Sequence, residues 1–250
     1  MKKVFLFIAA LALCVAAGAA KPKKTKALTA SAPEVKGVWK PGEEVNIFNG
    51  TSPDGSVYVC KELGFVSELQ GKGAATTEDG YRCAVYPASC LRMWTPKNAH
   101  IIIPRQQTAK KDGYPEDGVL LSARSEGRSL VFEPVMGYVK FTITEDSPAV
   151  AAFVVRADKF ISGTYKVRMN EPQMRVDLDN GTPRNHDVML RSVDGKALAP
   201  GVYYVGLFAR VFPDGLTVEW YAPDGSASSK IIPGQISIKK GESFDAGVIR

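Results

Sequence analysis

Two histidines, His100 and His186, four cysteines and a few adjacent carboxylates are what this 250-residue sequence offers to chemistry. Together with serines they make a Ser-His-Asp triad conceivable, but no Gly-x-Ser-x-Gly elbow positions a nucleophile. There is no His-Glu-x-x-His pair and no phosphate loop. Zinc needs clustered His and Cys ligands, and neither the two histidines nor the spacing of Cys60, Cys83 and Cys90 supplies them. Glu43-Glu44 and Glu145-Asp146 are neighbours in strand or turn contexts, so each pair points to opposite faces or to solvent. General acid-base work needs carboxylates that converge. The expectation is a chain with no catalytic residue, no cofactor and no metal.

The aromatic residues Trp94, Trp220, Tyr203, Tyr204 and Tyr221 could form a sugar platform, although aromatics at strand spacing more often fill a core. Tyr221 is the exception. If Trp220 faces in, Tyr221 faces out beside the Pro223-Asp224-Gly225 loop tip, which makes it the candidate ligand contact.

The first 20 residues read as a secretory signal. Lys2 and Lys3 begin it, Val4–Ala17 is its apolar stretch, and small residues lead to cleavage after Ala20. The apolar run is short for a membrane span. Cys14 sits in Leu-Ala-Leu-Cys, near a lipoprotein signal but with bulky Leu13 before the cysteine. Simple cleavage is the favoured reading, and lipidation at Cys14 stays open as the one route to a membrane anchor. The formal charge is +6, of which two units lie in Lys2 and Lys3 and four in the tract of Lys21, Lys23, Lys24 and Lys26. Residues 27–250 therefore carry no net charge. No basic face remains for a nucleic acid, and the tract reads as a flexible, solvated tail. Export makes disulfides chemically allowed. The plain reading of Cys60, Cys83 and Cys90 is three small apolar side chains, with one disulfide left open and no pair chosen.

The elements that would carry these residues are short strands. Val139, Phe141 and Ile143 alternate with Lys140, Thr142 and Thr144, the period of a half-buried strand. Pro134 and Gly137 interrupt the chain just before it and mark a junction. Similar alternation runs through Val45–Ile47, Tyr165–Met169, Met174–Leu178 and Leu216–Trp220. Ala99–Ile103 reads as a strand buried on both faces. Gly, Pro, Asn and Asp clusters separate these runs, including Pro53-Asp54-Gly55, Glu78-Asp79-Gly80 and Asp179-Asn180-Gly181. Many short strands with close turns predict an all-β fold of antiparallel β-sandwiches. The expected organisation is a signal over 1–20, a flexible basic lead-in over 21–34, and two sandwich domains over 35–134 and 135–250.

The order of motifs resembles the fimbrillin-like family of exported surface and pilus subunits. WKPGEEVNIF is similar to the opening W-x-x-G-D-x-I-x-V-F, YRCAVYPAS to the Y-x-A-x-Y-P strand, and IIIPRQQ to h-x-x-P-x-x-Q. VFEPVMGYVKFTI resembles the junction motif F-x-x-h-x-G-x-L-K-F-x-h, APGVYYVGLFA the x-P-G-x-Y-Y element, and KKGESFDAGVI the closing strand. The resemblance implies tandem transthyretin-like domains and a structural or adhesive role at the cell surface, outer membrane or fimbrium. It implies, for polymerising members, removal of the first strand by a protease and its replacement by a strand from a neighbour. The donor strand would be the carboxyl-terminal one, with Phe244, Ala246 and Val248 on one face. Family processing follows an arginine. The first arginine here is Arg82, well inside the domain, and Lys36 and Lys40 are the earlier basic positions.

The sequence thus predicts an exported structural fimbrial subunit or adhesin whose partners are other fimbrillin-like subunits or a host surface ligand. The alternative is a monomeric surface module that binds a glycan or host ligand through Tyr221.

Overall fold

The structure, a computed structural model, describes residues 27–49, 56–71, 81–95, 98–168, 175–178 and 182–250. Ala20, Cys14 and the basic tract lie outside the described residues, as do the turns at 53–55, 78–80 and 179–181. The described chain is all-β, with strands β1–β23 in chain order and two short 3-10 turns.

Two layered cores organise the strands. Around the first, one sheet runs in the order β10 (Ser129–Val131), β1 (Leu28–Ser31), β4 (Val66–Gly71), β3 (Ser56–Cys60), β2 (Glu44–Asn49), β5 (Arg82–Tyr86), β9 (Leu121–Ser125), β11 (Glu133–Pro134). Its inner residues meet those of β15 (Arg175–Leu178), β14 (Ser162–Arg168), β7 (Asn98–Ile103) and β6 (Leu91–Thr95), with β16 (Arg184–Asn185) also on β14. Around the second core, β18 (Gly201–Phe208), β12 (Met136–Ile143) and β23 (Ser243–Val248) form one sheet. The opposing sheet is β21 (Ala227–Ile232), β20 (Leu216–Tyr221), β13 (Ala152–Arg156), β17 (Asp187–Arg191) and β8 (Gln106–Thr108). A ribbon of β19 (Val211–Phe212) and β22 (Ile236–Ser237) completes the fold.

Alternation drives this assembly. In β12, Val139, Phe141 and Ile143 are buried while Lys140 and Thr142 are half-buried, and in β20 Leu216, Val218 and Trp220 are buried between half-buried neighbours. Phe141 stacks on Phe153 of the opposing sheet at 4.7 Å. Burying apolar area of this kind is the main stabilising term.

The sheet of β18, β12 and β23 is a wall between the cores. Val139, Phe141, Tyr203, Val205 and Leu207 face the second core, whereas Met136, Tyr138 and Phe208, on the opposite face, belong to the first. Gly137 lets the chain pass close here, because a Cβ would collide with Ile238 and with the Lys239 carbonyl. The outer edge of β18 is closed by a parallel bridge between Gly113 and Tyr203 and by two side chains. Buried Gln107 donates to the Gly206 carbonyl at 2.7 Å and accepts from its N–H at 2.9 Å. Asp112 accepts from the Val202 N–H at 2.9 Å.

Several expectations are refined. The ladders are not all antiparallel, since β1–β10, β12–β23 and β8–β17 pair in parallel. Leu28–Ser31, placed by the sequence in a flexible lead-in, is a strand inside the sheet. Its four residues carry only Leu28 and Ala30 as apolar signal. In β7, Ile102 is exposed while Ala99, Ile101 and Ile103 are buried, so that strand covers one core only. β7 also pairs with β14, and β8 with β17, so ladders join residues on both sides of position 134. Cys60, Cys83 and Cys90 are buried, and none of them is in a disulfide. Burial pushes the Cys60 thiol up to about 11 and those of Cys83 and Cys90 up to about 12.

Candidate functional site

The seat of β1 is the feature that could exchange strands. Leu28 and Ala30 point into the first core and Thr29 and Ser31 sit between core and solvent. β1 pairs antiparallel with β4, Leu28 opposite Leu69 and Ala30 opposite Ser67, and parallel with β10, Ala30 opposite Leu130. A strand with a ladder on each side leaves a complete slot when it is withdrawn.

A latch follows it. The turn 33–37 ends on Gly37 at φ +71, which favours glycine. It delivers Lys36 between the rings of Trp39 and Tyr86, with Nζ 5.3 Å from each centroid. Lys36 Nζ donates to Glu43 Oε1 at 2.9 Å and to the Val38 carbonyl at 2.7 Å. The Tyr86 hydroxyl donates to the same Glu43 oxygen at 2.9 Å. The Lys36 side chain is 7% exposed, so in the folded chain it is closed to a protease. Lys40, whose side chain is 50% exposed, pairs with Glu116 at 2.6 Å. Neither the seat nor the latch was found from the sequence. The alternation of Leu28 and Ala30 with Thr29 and Ser31 was the available signal for the seat; Lys36 stood out only as a basic position, with no sign of its burial.

The expected donor strand lies at an edge of the second core. β23 pairs in parallel with β12, and the register shifts beside Gly247, which has φ +86. That irregularity breaks the expected face. Ala246 is buried and Phe244 packs against the core, but Val248 is 37% exposed and Ile249 takes the inward place. Lys140 pins Asp245 at 2.6 Å, Ser147 donates to the Ile249 carbonyl at 2.6 Å, and Lys230 donates to the Ala246 carbonyl at 3.2 Å.

Tyr221 is not a free platform. It is half-buried, and its hydroxyl donates to Glu219 Oε2 at 2.9 Å. Glu219 pairs with Arg156 at 2.8 Å, Arg156 with Asp187 at 3.1 Å, and Asp187 with Arg105 at 2.7 Å. The hydrogen bonds from Arg105 and Arg156 hold the Asp187 and Glu219 carboxyls, respectively, below their ordinary ranges. Tyr221 closes this chain of charges, which runs from Arg105, just before β8, across β17, β13 and β20.

The histidines lie in different settings. His100 is on β7 opposite Lys166 and Met93. His186 packs on Phe160 at 4.4 Å, with Nδ1 3.2 Å from the Ala157 carbonyl. Among the described residues no group of three or more His, Cys, Asp or Glu is placed to hold a metal ion, and no helix is long and apolar enough to cross a membrane.

Two solved structures share this fold. A candidate cell adhesion protein of Bacteroides uniformis superposes with a TM-score of 0.57 at 12% identity, over 90% of this chain and 92% of that one. Another candidate cell adhesion protein, from Bacteroides ovatus, gives a TM-score of 0.51 at 14% identity, over 85% of this chain and 84% of that one. At such identities the likeness is one of fold. No family model and no curated protein matches the chain.

Proposed function

We propose that this chain is an exported, fimbrillin-like cell-surface protein that acts as a structural subunit or adhesin and not as an enzyme. The observation that carries the reading is the seat of β1, an amino-terminal strand with a ladder on each side. Support also comes from the fold shared with two candidate adhesion proteins and from the signal-like first 20 residues.

On this reading β1 is the replaceable strand. An incoming strand would regain the main-chain bonds to β4 and β10 and fill the places of Leu28 and Ala30 with alternate side chains. The donor from the next copy is β23, which would give up β12, with Phe244 and Ala246 as its inward residues. The latch at Lys36 sets an order of events, because the turn 33–37 must open before a protease reaches that bond.

Surface extracts from cells making the chain test this. Detergent-resistant ladders, together with subunits lacking β1, are expected. Monomer alone with β1 uncut overturns assembly. The intact mass of the exported form tests cleavage after Ala20 and lipidation of Cys14. A chain confined to the cell interior overturns the surface role.

A further inference from the structure

A seam runs along the junction of the two cores, beside the wall formed by β12 and β18. A cavity of about 450 Å³ opens between the 33–38 turn and the 110–116 loop. A second, of about 590 Å³, continues past Glu34 and Tyr114 toward Gly241 and Ser243. Glu34, Val35 and Tyr114 line both, so these residues stand at the middle of one elongated cleft. Each volume lies in the ordinary range of small-molecule sites.

The floor is aromatic. Tyr114 lies across Tyr204 at 4.3 Å and packs against Tyr138 at 4.5 Å. The Tyr138 hydroxyl behind it is fully buried and has no hydrogen-bond partner among the described residues. The Tyr114 and Tyr204 hydroxyls and the exposed Glu34 carboxylate likewise make no hydrogen bond among the described residues. The Tyr114 and Tyr204 hydroxyls and the Glu34 carboxylate, which line the cleft, are available to a ligand.

The rim decides what the ligand is. Lys40 and Lys110 share it with Glu34, Asp112 and Glu116. An anion would meet the carboxylates, and a cation would meet the lysines. Glu43, which accepts from the Tyr86 hydroxyl, is already occupied by Lys36. A neutral molecule with hydroxyls can donate to carboxylates and accept from ammonium and phenol groups at once. Its C–H face can lie on the tyrosine rings. A peptide adding as a strand needs an open ladder, and the nearby edge of β18 is closed by Gln107 and Asp112.

We infer that this seam is a binding site for a neutral oligosaccharide, with Tyr114 and Glu34 at its centre. The site goes beyond the surface role proposed above and belongs to the uncut chain, because cleavage at Lys36 would carry Glu34 away with β1.

The test is an array of neutral and acidic glycans, with a peptide array alongside, probed with the exported chain whose β1 and Glu34 are shown by intact mass to be retained. The strongest neutral glycan is then titrated by calorimetry. Binding is expected to weaken about tenfold in Glu34→Gln and about threefold in Tyr114→Phe, for loss of a charged and of a neutral hydrogen bond. Both variants are expected to melt with the wild type, because neither group bonds within the fold. Tyr221→Ala is expected to bind as the wild type does. Failure of all glycans, selection of acidic glycans or peptides alone, or binding indifferent to both variants overturns the inference. Glycan binding by a chain that never assembles leaves it standing.

Discussion

β1 and β23, the first and last strands of the described chain, are held in opposite ways. β1 has four residues, two ladders and two inward apolar side chains. β23 has six residues and one ladder, and side-chain pins do the rest. A strand seated between two neighbours needs little sequence to stay, because its backbone groups are satisfied on both sides. A strand at an edge must manage an exposed row of donors and acceptors, and β23 does so with a bulge and with Lys230 on its outer carbonyl.

Four substitutions break or sharpen that contrast. The largest effect is expected from Ala30→Asp, which sets a carboxylate in the first core with no partner. A loss of about 3 kcal/mol is expected in urea denaturation. Gly247→Ala should cost about 1 kcal/mol, because the position has φ +86 while its surroundings leave room for the methyl group. Amide exchange should then quicken in β23 and not in β1.

Asp245→Asn removes a partly exposed ion pair and should cost about 0.5 kcal/mol, less in high salt. Its pH dependence has two flanks. The hydrogen bond from Lys140 holds the Asp245 carboxyl below its ordinary 3.8, so this stability is present above that value and lost as pH falls through the lowered one. The same bond raises Lys140 above 10.5, so its share is present below that value and lost as pH rises through the raised one. Both flanks should flatten in the variant. The smallest effect is expected from Tyr221→Phe, which removes one part-buried hydrogen bond to Glu219. Its melting curve should match the wild type within about 0.5 kcal/mol.

The same contrast explains what could be read in advance. Longer strands announce themselves, and the alternation of Val139, Phe141 and Ile143, or of Leu216, Val218 and Trp220, places their faces correctly. β1 does not, because Ala30 adds little hydrophobic signal and four residues hardly define a period. The bulge at Gly247 is also silent, since a glycine in a strand marks many things. Partners are the least legible. Nothing in the pattern of Asn98–Ile103 says that it joins Ser162–Arg168, because periodicity fixes a face and not a neighbour. The seam is hidden for that reason. Glu34, Tyr114 and Tyr204 are far apart in sequence and ordinary in type, and only the meeting of the two cores brings them together.

The partition formed by β12 and β18 ties the fate of both compartments. Melting either one strips support from a shared plane, so neither should survive alone as a stable fragment. Calorimetry should then record one sharp heat-absorption peak for the whole body. Such a molecule responds to load as a single block.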